Sequence, residues 1–267
     1  MKKNFLFLFA MSFLWFSSCN TGEPWQSLFN GEDLTGWDTW VGPIEEDGEP
    51  VGLNKDPLNL FSVVDLNGEQ VIRISGEVNA SLATQEEFEN YHLIMEFKWG
   101  DEVFTRYNSG LLYHSYGEFG VGLGVWMSSH ELQLWTENIG DSYRMGKSYC
   151  EIPMVQNEDD QYVYSPGAEK IPSVPDTPTR IVAKNADYEN PMGEWNTVEI
   201  YCFDRTSVHV VNGNVNMVNY NSGKYLGENN IEPLTKGKIQ LQSEGGELFI
   251  KSIKVKPIEE IPAEMLP

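Results

Sequence analysis

From residue 61 onward the chain is a succession of short segments in which apolar and polar residues alternate, separated by turn residues. Residues 91–99 are the clearest case: Leu93, Met95, Phe97 and Trp99 share one parity, while His92, Glu96 and Lys98 take the other. Successive side chains of a β-strand leave opposite faces of the sheet, so such a segment is a strand with one buried face. The same reading holds for residues 61–65 and 70–75, on either side of the hairpin dipeptide Asn67-Gly68. It holds again for residues 82–84, 111–115, 195–203, 207–211, 215–220, 238–242 and 248–255. In the last of these Leu248 and Ile250 share one parity and Ile253 and Val255 the other, which requires a bulge near Lys251-Ser252. No amphipathic run of helical length interrupts the series. Many short alternating strands at turn-punctuated spacing define an all-β fold, a jelly-roll or related β-sandwich, and exclude a doubly wound α/β architecture.

The remaining segments set the boundaries. Lys2 and Lys3, the apolar run 5–16 and Ser17-Ser18-Cys19 read as a lipoprotein signal peptide over residues 1–18, with Cys19 the lipidated residue. Residues 19–24 then form a tether, 25–258 the folded domain and 259–267 a proline-rich surface tail. The apolar run is too short for a comfortable membrane span, so the expected membrane attachment is the lipid alone, in the cell envelope of a bacterium. Residues 25–40 carry three tryptophans and read as an edge segment. Residues 42–60 read as an excursion over the surface, the glycines at 117–124 as a bend, and 157–190 as a long loop beside the site. A formal charge of −22 argues against nucleic acid as a partner. Cys150 and Cys202 either pair or remain two buried thiols.

Residues 129–136 hold the chemistry. Leu132, Leu134 and His130 point to one face of this strand, and Ser129, Glu131, Gln133 and Trp135 to the other. Steps of two residues place the carboxylate, the amide and the indole about 7 Å apart. That row suits a sugar ring, with Trp offering a platform to its C–H face and Glu and Gln offering hydrogen-bonding groups to its hydroxyls. The polar parity of residues 238–244, which carries Gln242 and Glu244, either meets this row across a concave sheet or faces solvent on the convex side. Asp141 is a site residue or a turn cap. The four histidines lack zinc-ligand spacing, and no cofactor is expected; a calcium ion at Glu137, Asn138 and Asp141 is left open.

Seven segments, SLFNGEDLTGW, YHLIMEFKW, RYNSGLLYH, HELQLWTENIGDSY, GEWNTVEIY, VHVVNG and GKIQLQSEGGELFIKSIKVKPI, occur in an order that spans Ser27 to Ile258. In this the chain resembles the 3-keto-disaccharide hydrolase or 3-keto-glucoside lyase/hydratase family, formerly domain of unknown function 1080. The resemblance implies a concanavalin A-like jelly roll and cleavage of glycosides oxidised at C3. A C3 ketone acidifies the C2 proton, so a base can remove it and the C1 substituent can leave; water then adds to the unsaturated sugar. On this reading Glu131 is the base and Gln133 orients a hydroxyl. Asn108, in the family's Asn-Ser-Gly turn, contacts substrate or serves the turn alone. His114 stands where many relatives carry Arg and is either catalytic or structural. The competing reading is a non-catalytic carbohydrate-binding lipoprotein with the same fold. A conventional retaining glycosidase fits less well, because the strand reads Glu131-x-Gln133-x-x-Thr136 and lacks a second carboxylate.

Overall fold

The computed structural model describes residues 24–45, 47–227 and 230–267. The expected signal peptide, Cys19 and the expected tether up to residue 23 lie outside the described residues. Two antiparallel sheets face each other. The first is built on the strands Tyr91–Val103, Gly246–Pro257, Asn196–Phe203, Thr206–Val211 and Asn214–Tyr225. The second, which carries the site, orders its strands Ile181–Val182, Ser142–Met145, Ser128–Gln133, Gly110–Tyr116, Lys236–Ser243, Ala80–Thr84 and Trp37–Val41. The fold is an all-β, concanavalin A-like jelly-roll sandwich; the alternation predicts the sandwich, and the family resemblance its concanavalin A-like form.

The parities read from the sequence meet in the core. Leu93, Met95, Phe97, Val198, Ile200, Leu248 and Ile253 of the first sheet pack on Leu82, Leu111, Leu132, Ile239 and Leu241 of the second. Asn67 and Gly68 both take positive φ, as a tight hairpin turn between Phe61–Leu66 and Glu69–Ile74 demands. The register shift between Ile250 and Ser252 is the expected bulge. Cys150 and Cys202 are buried free thiols, and burial pushes them up to about 11 and 12.

Two expectations are corrected. Residues 157–190 are not a loop throughout: Tyr162–Tyr164 and Lys170–Ser173 pair with the strand Ser148–Gln156, and Ile181–Val182 pairs with Ser142–Met145. The tail does not simply lie on the surface, since Ile261 and Met265 pack with a second apolar cluster around Ile152, Met154 and Val208.

Candidate functional site

The glycine-rich crossing at 117–127 folds over the outer face of the site sheet. Trp126 is fully buried there, packs with Leu112, Val125 and Met145, and donates its indole N–H to Ala80 O (3.2 Å). That cover occupies one end of the sheet face. Toward the other end a cavity of about 590 Å3 stays open, a size suited to a small ligand. Asn108, Glu131, Gln133, Trp135, Asp141, Gln242 and Glu244 all line it. The 238–244 parity therefore faces the site, and the solvent-facing alternative is excluded.

A glycine makes the meeting possible. Gly110 lies between the strands Ser128–Gln133 and Lys236–Ser243, and a Cβ there would collide with the side-chain oxygens of both Glu131 and Gln242. An isolated glycine in a strand commonly marks such a close approach. The Asn-Ser-Gly turn is pinned on both sides. Ser109 Oγ donates to Gln242 O (2.8 Å), while Leu134 N and Thr136 N donate to Ser109 O and Tyr107 O (3.0 and 3.1 Å). Asn108 is thereby held over the cavity, its Oδ1 buried without a partner; Gln242 has neither its amide oxygen nor its nitrogen paired. Buried amides left unpaired are costly, and they are common where a ligand supplies the missing partners.

Glu131 is 1 % exposed. Burial, reinforced by the charge of Glu244, raises its pKa well above the usual carboxylate range. Burial also pushes Glu244 up to about 7, against the opposing charge of Arg106. Gln133 is partly committed, because its Oε1 accepts from Leu134 N and Trp135 N (3.0 and 3.3 Å); its amide N–H groups remain for a ligand. Trp135, 37 % exposed, carries the Arg106 guanidinium over its ring at 4.5 Å, so one face of the expected platform is already taken. Asp141 Oδ1 accepts from Lys184 N (2.9 Å), and burial moves it up to about 6. It lines the cavity, and its side chain anchors the 181–184 segment.

His114 is not at the cavity. Its φ is +49° and the ladder shifts register between Ser128 and His130, so the side chain turns into the sandwich among Tyr91, Tyr113 and His130. Neither ring nitrogen has a partner, and burial moves the imidazole down to about 3. The catalytic option for His114 is thus corrected to an interior position. His130 also faces inward, as its parity requires, and bonds Ser222 Oγ (2.6 Å). Among the described residues no group of three or more His, Cys, Asp or Glu side chains converges as a metal-binding cluster.

Several lining residues escaped the sequence reading: Arg106, Leu123, Tyr143, Met145, Tyr162 and Ile181. Tyr143 had the clearest signal, since it ends the segment HELQLWTENIGDSY that holds Glu131, but its strand of four residues is too short to show alternation.

An antiparallel β-sandwich with a cavity of buried carboxyls and unpaired amides on one sheet defines a jelly-roll domain with a small-molecule cleft. The chain belongs to the 3-keto-alpha-glucoside-1,2-lyase-like domain family, whose model matches residues 24–256. The family places it among carbohydrate-active proteins. No functionally curated protein matches the sequence. Among solved structures it is similar to two Parabacteroides distasonis proteins described provisionally as glycosyl hydrolases. One has 20 % identity over 88 % of this chain and 94 % of that one, with a TM-score of 0.48. The other has 18 % identity over 88 % and 100 %, with a TM-score of 0.49. A carbohydrate-binding module of Bacillus subtilis shows 7 % identity over 83 % and 96 %, with a TM-score of 0.45.

Proposed function

We propose that the protein cleaves glycosides oxidised at C3, by elimination across C1–C2 followed by addition of water. The observation that carries the reading is the convergence at Gly110: Glu131 and Gln242 meet over it, with Asn108 and Glu244 lining the same cavity. Elimination needs one group to take the C2 proton and another to give a proton to the departing C1 oxygen. Two carboxyls whose surroundings separate their proton affinities suit that division. Glu131, the more deeply buried, has its proton affinity raised well above the usual carboxylate range and is assigned the acid. Glu244, with a pKa of about 7, is half ionised at neutral pH and is assigned the base, in place of the role first given to Glu131. The C2–H proton passes to Glu244 as the C1–O bond breaks and the leaving oxygen takes the Glu131 proton. Water then returns hydroxyl to C1 and a proton to C2, leaving a free 3-keto sugar. The unpaired amides of Asn108 and Gln242 are placed to hold sugar hydroxyls and the enolate oxygen that develops at C3. On the leader sequence alone, the enzyme is assigned to the cell envelope through an acylated Cys19.

The test is turnover of a 3-keto-glucoside in deuterated water. Release of the C1 substituent with deuterium at C2 is the expected result. Glu244→Gln should abolish both, whereas Glu131→Gln should retain activity best on substrates with acidic leaving groups such as nitrophenol. Hydrolysis of unoxidised glycosides without exchange at C2 would replace the proposal with conventional glycosidase chemistry. Sugar binding without any turnover would leave a carbohydrate-binding protein.

A further inference from the structure

We propose that the leaving-group side of the cavity takes an apolar aglycone, aromatic or alicyclic, and not a second sugar; this rests on the function proposed above. The two lateral sides of the cavity differ in chemistry, and the strand register fixes which side is which. Stepping from Ser128–Gln133 toward Lys236–Ser243, the cavity meets Asn108, Gln242 and Glu244, and the buried unpaired amides lie on this side. Stepping the other way, Glu131 is the direct register partner of Tyr143, and Tyr143 of Ile181. Opposed residues of an antiparallel pair project from the same face, so Glu131, Tyr143 and Ile181 form one row. Met145, Leu123 and Tyr162 extend the apolar part of that side, next to Asp160 and Gln161.

Leu123 and Ile181 are 56 % and 48 % exposed, large aliphatic side chains left open to solvent at the mouth of a cleft. Exposed apolar surface beside a polar cavity is a common mark of a ligand contact. Arg180 stacks on the Tyr143 ring at 4.6 Å, and its Nε is already bound to Arg144 O (3.1 Å). A second sugar would present hydroxyls to Leu123, Ile181 and Met145, where each exchanges water for aliphatic contact, which disfavours binding relative to an apolar group. The polar side holds the unpaired buried amides, enough for one sugar. With Glu131 between the two sides, the acid stands where the bond to the aglycone would lie.

The experiment compares kcat/KM for the 3-keto-glucoside of phenethyl alcohol with that for a 3-keto-disaccharide, in the wild type and in Leu123→Ser/Ile181→Ser. Phenethyl alcohol is no more acidic than a sugar hydroxyl, so a preference for it reports contact with the wall and not leaving-group chemistry. The wild type should prefer the phenethyl substrate, and the double variant should lower the ratio of the two constants by about tenfold or more. Both substituted residues are exposed, so the fold should survive. A wild-type preference for the disaccharide, or a ratio unmoved in the variant, would overturn the aglycone assignment while leaving the enzyme reading intact. Turnover of neither substrate would instead remove the function on which it rests.

Discussion

At the scale of single residues, the site holds carboxyls in surroundings that oppose their ionisation, and this has a measurable cost. Glu244 is raised from 4.5 to about 7 by burial. Between these values the folded protein keeps a proton that the unfolded chain has released, so the stability present below about pH 4.5 is lost as pH rises through 7. Glu244→Gln cannot ionise, and should therefore be more stable than the wild type at about pH 8 by roughly 2 kcal/mol, allowing for the partial exposure of the group. At about pH 4 the two should coincide, and urea denaturation at both pH values reads the difference. The pairing of Glu131 with Gln133 was legible because a polar parity opposite Leu132 and Leu134 has nowhere to go but the outer face of the sheet. Gly110 was not, because its role depends on two side chains from strands far apart in sequence. His114 entered the candidate site through the family resemblance, with a structural role as its alternative, and its backbone turns it inward. A residue at positive φ interrupts the alternation on which parity arguments depend, and no sequence pattern marks where that occurs.

At the scale of elements, the wall of the cavity is made by segments too short to read. Residues 157–190 have no sustained periodicity, yet they contribute Tyr162–Tyr164, Lys170–Ser173 and Ile181–Val182 to the two sheets. Two to four residues cannot display alternation; they become strands because longer neighbours offer them an edge. Besides the strand pairing and the Arg180 contacts, the wall is tied to the site by a side-chain bond that can be cut, from Lys184 N to Asp141 Oδ1. Asp141→Ala leaves that amide without its partner at a cost of about 1–2 kcal/mol, spent mainly on local order in residues 181–184. The expected outcome is faster hydrogen exchange at the Lys184 amide, with KM raised several-fold and kcat changed less, since Asp141 positions a wall and does not handle the reacting bond. Equal losses in kcat and kcat/KM would indicate a direct part in the chemistry.

At the scale of the whole molecule, the space between the sheets is not purely apolar. Tyr113 Oη bonds Ser207 Oγ and His209 Nε2 (2.7 and 2.8 Å), and Asn219 joins all three. Arg144, fully buried, reaches His130 and Ser142, and Ser142 Oγ donates to Asn219 Oδ1 (2.9 Å). His114 and His209 are both brought down to about 3 by burial, and His130 lies well below its ordinary value, burial again leading and Arg144 adding to it. Sequence alternation placed His130 on the inner face but could not show that these residues meet. Their linkage runs opposite to that of the site carboxyls. As pH falls below 6.5 the unfolded chain binds protons at these histidines that the folded protein refuses, and stability is lost down toward pH 3. As pH falls, Glu244 from about 7 and Asp141 from about 6 offset that loss, and Glu131 acts in the same direction, because the folded state holds protons there that the unfolded chain has released. Below about 4.5 the carboxyls no longer oppose it. Stability should therefore change little between about pH 7 and 5 and then fall steeply, each buried imidazole contributing up to about 1.4 kcal/mol per pH unit. His114→Phe keeps an aromatic ring among Tyr91, Tyr113 and His130 but cannot take a proton. Whatever it costs at neutral pH, it should reduce the slope below about pH 4.5 by one proton in denaturation experiments. It should also leave turnover of a 3-keto-glycoside standing, because its ring lies inside the sandwich and not in the cavity. An unchanged acid slope would mean that His114 is protonated in the folded protein, and loss of turnover in a folded variant would return it to the site.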